Sequence, residues 1–594
     1  MPDNRAWSSV AVLGLASALA GCPPASSSTD SATGTGTTSG TTGASTGDCA
    51  IGALGCPCTK GGACDPGLVC GPDEICVDPG GTSEPSTGAT ESTTTGDPDP
   101  STSTTTTTEG TTDSSSTGPA KPCDPADGQP NFDCMEIDPN RPYCAEAGVC
   151  GGCSVLPIEG GCAKLDPEHP ICNPEDDRCV ACTVDDDSLC TGDKPACDLL
   201  TNECTGCYEH SHCPGTACDI LKGECFPPDK ILYVRVGVPE DGECTENVPL
   251  GGTIDNPYCY ANLAIAHAQD QGPTSGWTFK FLETNSPYYH GKVLIPGVPA
   301  NTPVSYAFIH EGSYSQEDAA FKYHTRIQAP GPVFVVGENV TAYINNFTIF
   351  NTALQSDVGV GIGCLPGANV FFYDGFVTDA RGPGIRAIGC NIYLKRASVH
   401  GGRTEGIDLA CAEQHCELHM ENSYVTDNGY VEVDGGGGIV AENATLHILY
   451  STILNNNNEP DPNDASARGD AIHCVGDAVD GTIRNSVIAS KQMGNFASIK
   501  CDPGKLTVTS SLLDSEPFKQ NNHKIDSETI LGYFDTNTIT GEKVFKNFPK
   551  DFDTDVLKHA FWQKGDPRFD FDGEPRIAKD GEKDFPGADV LPLD

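Results

Sequence analysis

The sequence predicts an all-β chain in which residues 228–594 wind into a right-handed, single-stranded parallel β-helix, preceded by small disulfide-rich modules and disordered linkers. Three observations carry this. From Ile231 onward short β-branched and aromatic clusters recur between Asn- and Gly-rich turns. Their spacing is that of one β-helix coil, and cysteine, abundant upstream, thins out where the clusters begin.

Aligned on one position, the clusters read Asn346-Phe-Thr-Ile349, Asp374-Gly-Phe-Val377, Arg396-Ala-Ser-Val399, Asn422-Ser-Tyr-Val425, Tyr450-Ser-Thr-Ile453, Asn485-Ser-Val-Ile488 and Ser510-Ser-Leu-Leu513. Successive anchors lie 28, 22, 26, 28, 35 and 25 residues apart, with the variation absorbed in loops. One coil has too little apolar surface to fold alone, so coils must stack over a continuous core. Two residues past each cluster stand Asn351, Asp379, Gly401, Asp427, Asn455, Ser490 and Ser515. Small polar side chains suit a tight, in places left-handed, backbone and can form ladders between coils.

A second register lies upstream of the anchors: Gly361-Ile-Gly-Cys364, Arg386-Ala-Ile-Gly-Cys390, Ile407-Asp-Leu-Ala-Cys411, Ala471-Ile-His-Cys474 and Ser498-Ile-Lys-Cys501, with Ala441 on the remaining rung. Stacked strands are about 4.8 Å apart, within the span of a disulfide. The register therefore predicts Cys364–Cys390 and Cys474–Cys501. Cys411 faces Ala441 on one side, which makes nearby Cys416 its partner, and Cys244 and Cys259 are left for one another.

The chain holds 31 cysteines, too many for a reducing cytosol unless most bind metal. At the N-terminus an apolar run, Val10 to Ala20, is too short to span a bilayer and reads as a signal-peptide core. The step after it, Leu19-Ala20-Gly21-Cys22, resembles the lipobox of bacterial lipoproteins. That resemblance implies cleavage after residue 21 and diacylation of Cys22, and more than one acyl chain holds a protein stably at a membrane. By resemblance to lipoprotein sorting, Pro23 rather than Asp after the cysteine favours the outer membrane over the inner. The expected location is thus exported and lipid-anchored, at the outer membrane or cell surface of a bacterium.

Residues 22–48 and 79–120 are rich in Ser, Thr and Gly and cannot bury enough apolar surface to fold; they are expected to act as tethers. Between them, Cys49, Cys56, Cys58, Cys64, Cys70 and Cys76 predict a knob over 49–78 stapled by disulfides of open connectivity. Residues 121–227 hold sixteen further cysteines in four units: Cys123/134/144/150, Cys153/162/172/179, Cys182/190/197/204 and Cys207/213/218/225. Their C-x-x-C junctions lack both the paired-motif context of a zinc site and the βαβ context of a redox motif, so structural disulfides are expected. The array resembles cysteine-rich repeats of bacterial surface lipoproteins, which implies a spacer or protease-resistant stalk.

Lys and Arg total 35 against 83 Asp and Glu, a net charge of −48. With no basic patch in view, nucleic acid is not an expected partner. The acidity suits solubility or divalent cations, and no cofactor is expected, Ca²⁺ being the one candidate.

Over roughly 230–594 the coils resemble the pectate-lyase-like superfamily of right-handed β-helices. The start, Ile231-Leu-Tyr-Val-Arg235, and the tail, Asp566-Pro-Arg-Phe-Asp-Phe-Asp-Gly-Glu-Pro-Arg576 with Pro586-Gly-Ala-Asp589, resemble the ends of exported members. The resemblance implies a fold but not an activity, because the superfamily includes lyases, hydrolases, epimerases and adhesins. Paired adjacent aspartates with Gly-His-Gly and Arg-x-Lys, and the Arg-x-Pro-x-x-Arg step of pectate lyases, are absent.

The alignment brings together Asp379 and Arg381, then His400, Arg403, Glu405 and Asp408, then Asp427 and Glu432. Of these, Asp379, Arg403 and Asp427 are the candidate catalytic residues: converging carboxylates with a basic group could grip a sugar acid or Ca²⁺. The Asp570-x-Asp572-Gly573 step resembles half of a calcium loop but lacks the later ligands of an EF-hand, and is read as a turn. The expected function is a surface module that binds carbohydrate or another cell-surface partner without catalysis. The alternatives are a divergent polysaccharide lyase, hydrolase or epimerase, and a purely structural spacer.

Overall fold

The computed structural model describes residues 69–70, 76–77, 143–144, 150–155, 161–174, 176–235, 244–248, 250–272, 276–282, 288–310, 325–352, 359–429, 437–456, 471–490, 498–514, 518, 522–524, 529–530, 534–536, 543–545, 558–576 and 579–589. The signal peptide, Cys22, both linkers, Glu432 and Ser515 lie outside these residues, as does most of the 49–78 knob. The chain divides into two compact units, one built from cysteine modules up to His212 with Ile220–Glu224, the other from Cys213–Asp219 and everything from Cys225 onward.

In the first unit each cysteine module is a two-stranded antiparallel hairpin, such as Ile171–Asn173 with Arg178–Val180 and Ala196–Asp198 with Glu203–Thr205. The first cysteine of a module bonds the third and the second bonds the fourth: Cys153–Cys172 with Cys162–Cys179, and Cys182–Cys197 with Cys190–Cys204. In the fourth module Cys213 bonds Cys225, both within the second unit. The buried residues here are largely the half-cystines themselves, so the cross-links stand in for an apolar core.

Consecutive modules are joined by His169, whose Nδ1 lies 2.7 Å from Asp166 and whose Nε2 lies 3.0 Å from Glu203 of the next module. The Asp166 hydrogen bond pushes the imidazole pKa above its ordinary value, with Glu203 adding to the effect, and the same hydrogen bond holds Asp166 below the usual carboxylate range. The raised imidazole stabilises the link below about pH 6.5 and ceases to as pH rises through the folded value. The lowered carboxyl stabilises it above about pH 4 and ceases to as pH falls through its folded value.

The second unit is a parallel β-helix. Each coil contributes three strands, and the strands stack into three ladders. The first ladder includes Val340–Asn345, Asn391–Lys395, Cys416–Glu421, Ala444–Leu449 and Asp480–Arg484. The second includes Phe347–Asn351, Tyr424–Thr426, Thr452–Asn456 and Val487–Ser490. The third runs from Val293–Ile295 to Ile499–Lys500. All pairings in these ladders are parallel and nearly all are in strict register, so side chains of like position superpose from coil to coil.

Alternation along each strand sends one set of residues inward. The third ladder stacks Ile362, Ile385, Ile407, Ile439, Ile472 and Ile499, all buried. The first stacks Ile344, Phe372, Leu394, Met420, Ile448 and Ile483 opposite them. Each such side chain is worth about 1.5–3 kcal/mol when removed from water. At the N-terminal end the helix Ala261–Asp270 turns Ala261, Ala264, Ile265 and Ala268, one face at helical spacing, into the same core.

Two buried polar ladders accompany the apolar ones. Ser423, Ser451, Ser486 and Ser511 superpose just past the corner between the first and second ladders, and each is fully buried. Each hydroxyl donates to the carbonyl two residues back and accepts an N–H from the preceding coil, as Ser486 does from Ser451 N at 3.2 Å. At the far end of the second ladder Asn428 and Asn456 stack at 3.0 Å; Asn428 also donates to Val399 O and accepts from Gly402 N. The polar ladder therefore runs one residue beyond the positions aligned in the sequence. A left-handed residue at Asp379, Asp427 and Asn455 turns the following side chain, Ala380, Asn428 or Asn456, inward; Gly401 adopts the same conformation ahead of Gly402, whereas Asn351 and Ser490 do not adopt it.

The disulfides Cys364–Cys390, Cys411–Cys416 and Cys474–Cys501 lie along one corner, and Cys244–Cys259 near the start, with Cα–Cα distances of 6.1, 5.8, 4.9 and 5.0 Å. The register corrects one detail. Cys364 faces Ala387, not Cys390, and Cys411 lies past the Leu409–Ala441 rung. The turn Ala387-Ile-Gly-Cys390 is one residue shorter than Cys364-Leu-Pro-Gly-Ala368, so Cys390 takes the place of Ala368 at the start of the next strand.

Two outcomes follow for measurement. Asn428→Ala takes the side-chain partner from Val399 O and Gly402 N and one of two donors from Asn456 Oδ1, at about 1–3 kcal/mol for each buried group stranded, and should lower unfolding free energy by about 3 kcal/mol in a denaturant titration; an unchanged midpoint would show that the stack does not stabilise the fold. In histidine-selective NMR the His169 ring should titrate above the free-imidazole value, and fall back toward it in Asp166→Asn.

Candidate functional site

Each described coil from Asn346 to Ser510 turns from its first to its second strand through one left-handed residue: Asn346, Asp374, Arg396, Asn422, Tyr450, Asn485 and Ser510, with φ between +44° and +63°. These are the seven anchor residues of the sequence alignment. Their side chains project from the edge of the stack, and the C-terminal residues 558–576 and 579–589 dock on several of them. Asn422 Nδ2 donates to Phe569 O at 2.7 Å, Asn485 Nδ2 to Phe561 O at 3.1 Å, and Phe561 N back to Asn485 Oδ1 at 3.2 Å.

Arg576 fixes this docking. Its side chain is fully buried, lies 4.2 Å over the Tyr450 ring, and donates to Asn422 Oδ1 (3.1 Å), Phe585 O (3.2 Å) and Gly587 O (2.7 Å). Its charge partner is Asp584 at 3.5 Å. Burial raises the Asp584 pKa, and Arg576 opposes that shift. Phe571 packs edge-on against Tyr424 at 4.8 Å, and Gly587, at φ +100°, sits so close to Thr452 that a Cβ would lie 2.7 Å from its hydroxyl. The outward residues Phe376, Ser398, Tyr424, Thr452 and Val487 of the second ladder are accordingly buried.

The tail's corner contacts fall on Asn422, Tyr450 and Asn485, which leaves the corners of Asn346, Asp374 and Arg396 to line a cavity of about 380 Å³ together with Phe376, Phe569, Phe571, Asp572 and Gly573. Three aromatic rings make its apolar wall, and Phe569 is 47% exposed. The polar wall is an ion pair: Arg396 Nε and Nη2 reach Asp374 Oδ1 and Oδ2 at 2.5 and 3.1 Å, and Asn345 Nδ2 donates to the second oxygen at 2.9 Å. With both oxygens engaged, Asp374 serves better as a fixed acceptor than as a base that must take up a proton.

Asp572 also belongs to a group of carboxylates, with Asp570, Glu574 and Asp589, whose oxygens lie within 4.8 Å of one another. Asp570 and Asp589 are buried, and Asp572 Oδ1 is buried with no hydrogen-bond partner. Burial, and then the charge of Asp572, raise the Glu574 pKa. Hard oxygen donors in this number are the type that suits Ca²⁺. The sequence showed only Asp570 and Asp572; Asp589 joins them because the tail folds back on itself, which spacing alone did not signal.

The candidates named from sequence sit on another edge, in the loops that leave the second ladder. Asp379 and Asp427 are left-handed residues separated by the Gly401 rung, so two coil spacings, about 10 Å, divide them. Asp427 Oδ1 accepts from Asn455, and Arg403 N donates to Ala380 O at 2.8 Å. Arg381 and Glu405 lie on the same loops. His400 is buried with Nδ1 3.2 Å from Ser398 Oγ, and Asp408 pairs with Arg386 at 3.3 Å in the third ladder. The structure thus brings these residues to neighbouring coils but sends His400 and Asp408 to other faces.

Arg576→Met removes the hydrogen bonds to Asn422, Phe585 and Gly587 and the contact with the Tyr450 ring, and strands Asp584, for which about 3–5 kcal/mol is expected. Hydrogen exchange should then rise across 558–589 while the inner ladders stay protected, and equal protection would refute the role given to Arg576.

Among known proteins, a family described as "Family of unknown function (DUF8331)" matches residues 121–231. No curated protein matches the chain. Among solved structures, a pectin methylesterase from carrot is 13% identical, with a TM-score of 0.22, over 52% of this chain and 92% of that one. The parallel β-helix rests on the strand registers, and the span that the chain has in common with a family of unknown function is that of the four cysteine modules.

Proposed function

We propose that the chain is an exported, lipid-anchored surface protein whose β-helix binds a carbohydrate, without catalysis, in the cavity between the corner residues and the tail. The observation that carries the reading is the pairing of an aromatic wall, exposed at Phe569 and backed by the buried Phe376 and Phe571, with the Arg396–Asp374 pair and Asp572 across about 380 Å³. Sugars present both C–H faces and hydroxyls, and sites for them combine aromatic surface with a few fixed polar groups. The volume lies in the usual range for small ligands. The disulfides support an oxidising, extracytoplasmic setting, and among the described residues no helix is long and apolar enough to cross a membrane. The step at Cys22 supports attachment through lipid.

Two carboxylates border the cavity, Asp374 and Asp572, which keeps a glycan-cleaving reading as the alternative. The test is to incubate the full chain with acidic and neutral polysaccharides, with and without Ca²⁺, recording both binding and new reducing or unsaturated ends. Binding without product, weakened about tenfold by Phe569→Ala through the lost ring contact and unaffected by Asp427→Ala, is expected. Product that disappears in Asp374→Asn, or in Asp427→Ala or Arg403→Ala, would make the protein an enzyme; absence of any binding would leave it a spacer.

A further inference from the structure

The outward side of the first ladder carries a column of rings. Register places Tyr343, Phe371, Tyr393, His419 and His447 on successive coils, with centroids 4.8, 4.2, 4.7 and 4.6 Å apart. The chemistry of the column changes at its fourth rung, from carbon rings to imidazoles. On the strand Cys416–Glu421 the inward residues are Cys416, Leu418 and Met420, so Glu417 and His419 face out together. Their side chains are 43% and 32% exposed, and His419 Nε2 lies 3.0 Å from Glu417 Oε2.

We propose that His419, His447 and Glu417 bind one divalent transition-metal ion of the zinc class. Imidazole nitrogen and carboxylate oxygen are the ligands such ions take, at about 2.0–2.2 Å, and three protein ligands with an open position make a common site. Two ligand atoms of a tetrahedral ion lie about 3.4 Å apart, close to the separation already present between His419 and Glu417. His447 stands one rung away, its ring tilted 29° to that of His419, and its Nδ1 faces Thr482 Oγ1 at 3.5 Å. A hydrogen bond to the second ring nitrogen is what orients ligating histidines. His415 adds a further imidazole nearby, with Nε2 3.1 Å from Thr445 Oγ1.

The three side chains stand on adjacent rungs of one outward face. The strands beneath are fixed by the buried Leu418, Met420, Leu446 and Ile448, so ligation asks only for side-chain rotation.

The experiment is calorimetric titration of chelator-stripped full chain with Zn²⁺. One site of micromolar affinity or better is expected, weakened at least about tenfold by His419→Ala and by His447→Ala, and retained in Asp572→Asn, which separates this site from the tail carboxylates. His447→Gln, which can keep a hydrogen bond to Thr482, should lose affinity with no change in melting temperature without metal. X-ray absorption of the bound ion should show two imidazole nitrogens. No binding in the unaltered chain, or full affinity in the His419→Ala/His447→Ala double variant, would overturn the proposal.

Discussion

The left-handed residue between the first and second strands of each coil is the constraint on which the other features of residues 340–514 depend. A single residue at φ near +50° bends the chain sharply enough that both strands can pair with the coils above and below in one continuous sheet. For a residue with a Cβ this conformation is unfavourable by about 1–2 kcal/mol, least so for Asn and Asp, which occupy four of the seven corners. The remaining three are answered elsewhere: Tyr450 is buried under Arg576, Arg396 pairs with Asp374, and Ser510 is followed by Ser511, whose buried hydroxyl joins the serine ladder.

The same corner divides the structural from the available surface. On the inside it delivers the serines whose hydroxyls satisfy backbone groups that the bend would orphan. On the outside it presents side chains at a regular pitch of about 4.8 Å, a row the tail uses on three coils and leaves open on three others. The cavity is what remains of a docking surface where the docking segment ends.

Much of this was legible in the sequence because a β-helix writes its geometry in one dimension. Aligning short clusters from Asn346 to Ser510 found the seven left-handed corners between first and second strands, although the pattern was read from the apolar residues behind them. The cross-coil cysteines were legible for the same reason, yet the register of Cys364 was displaced because a one-residue difference in turn length is invisible when only cysteines are compared. The helix Ala261–Asp270 was not foreseen: its inward face is mostly alanine, which gives a weak periodic signal. Nor was the cavity, since it depends on a tail more than 170 residues away from Arg396, and a long-range contact of that kind leaves no local trace. The loop aspartates drew attention by their charge, when Asp379 and Asp427 are accounted for in part by the backbone conformation they tolerate.

A stack in which each coil touches only its neighbours can unravel from its last turn like a spring released at one end. Here the chain leaves the final coil and returns to clasp coils in the middle, through Arg576 on Asn422 and Asp566 on Arg484. Peeling of the last rung is thereby tied to release of the clasp, so fraying that would otherwise be local becomes concerted with it. For a disulfide-bonded protein of an oxidising compartment, the quantity this governs is lifetime: the barrier to opening rises even where the free energy of the folded state changes little.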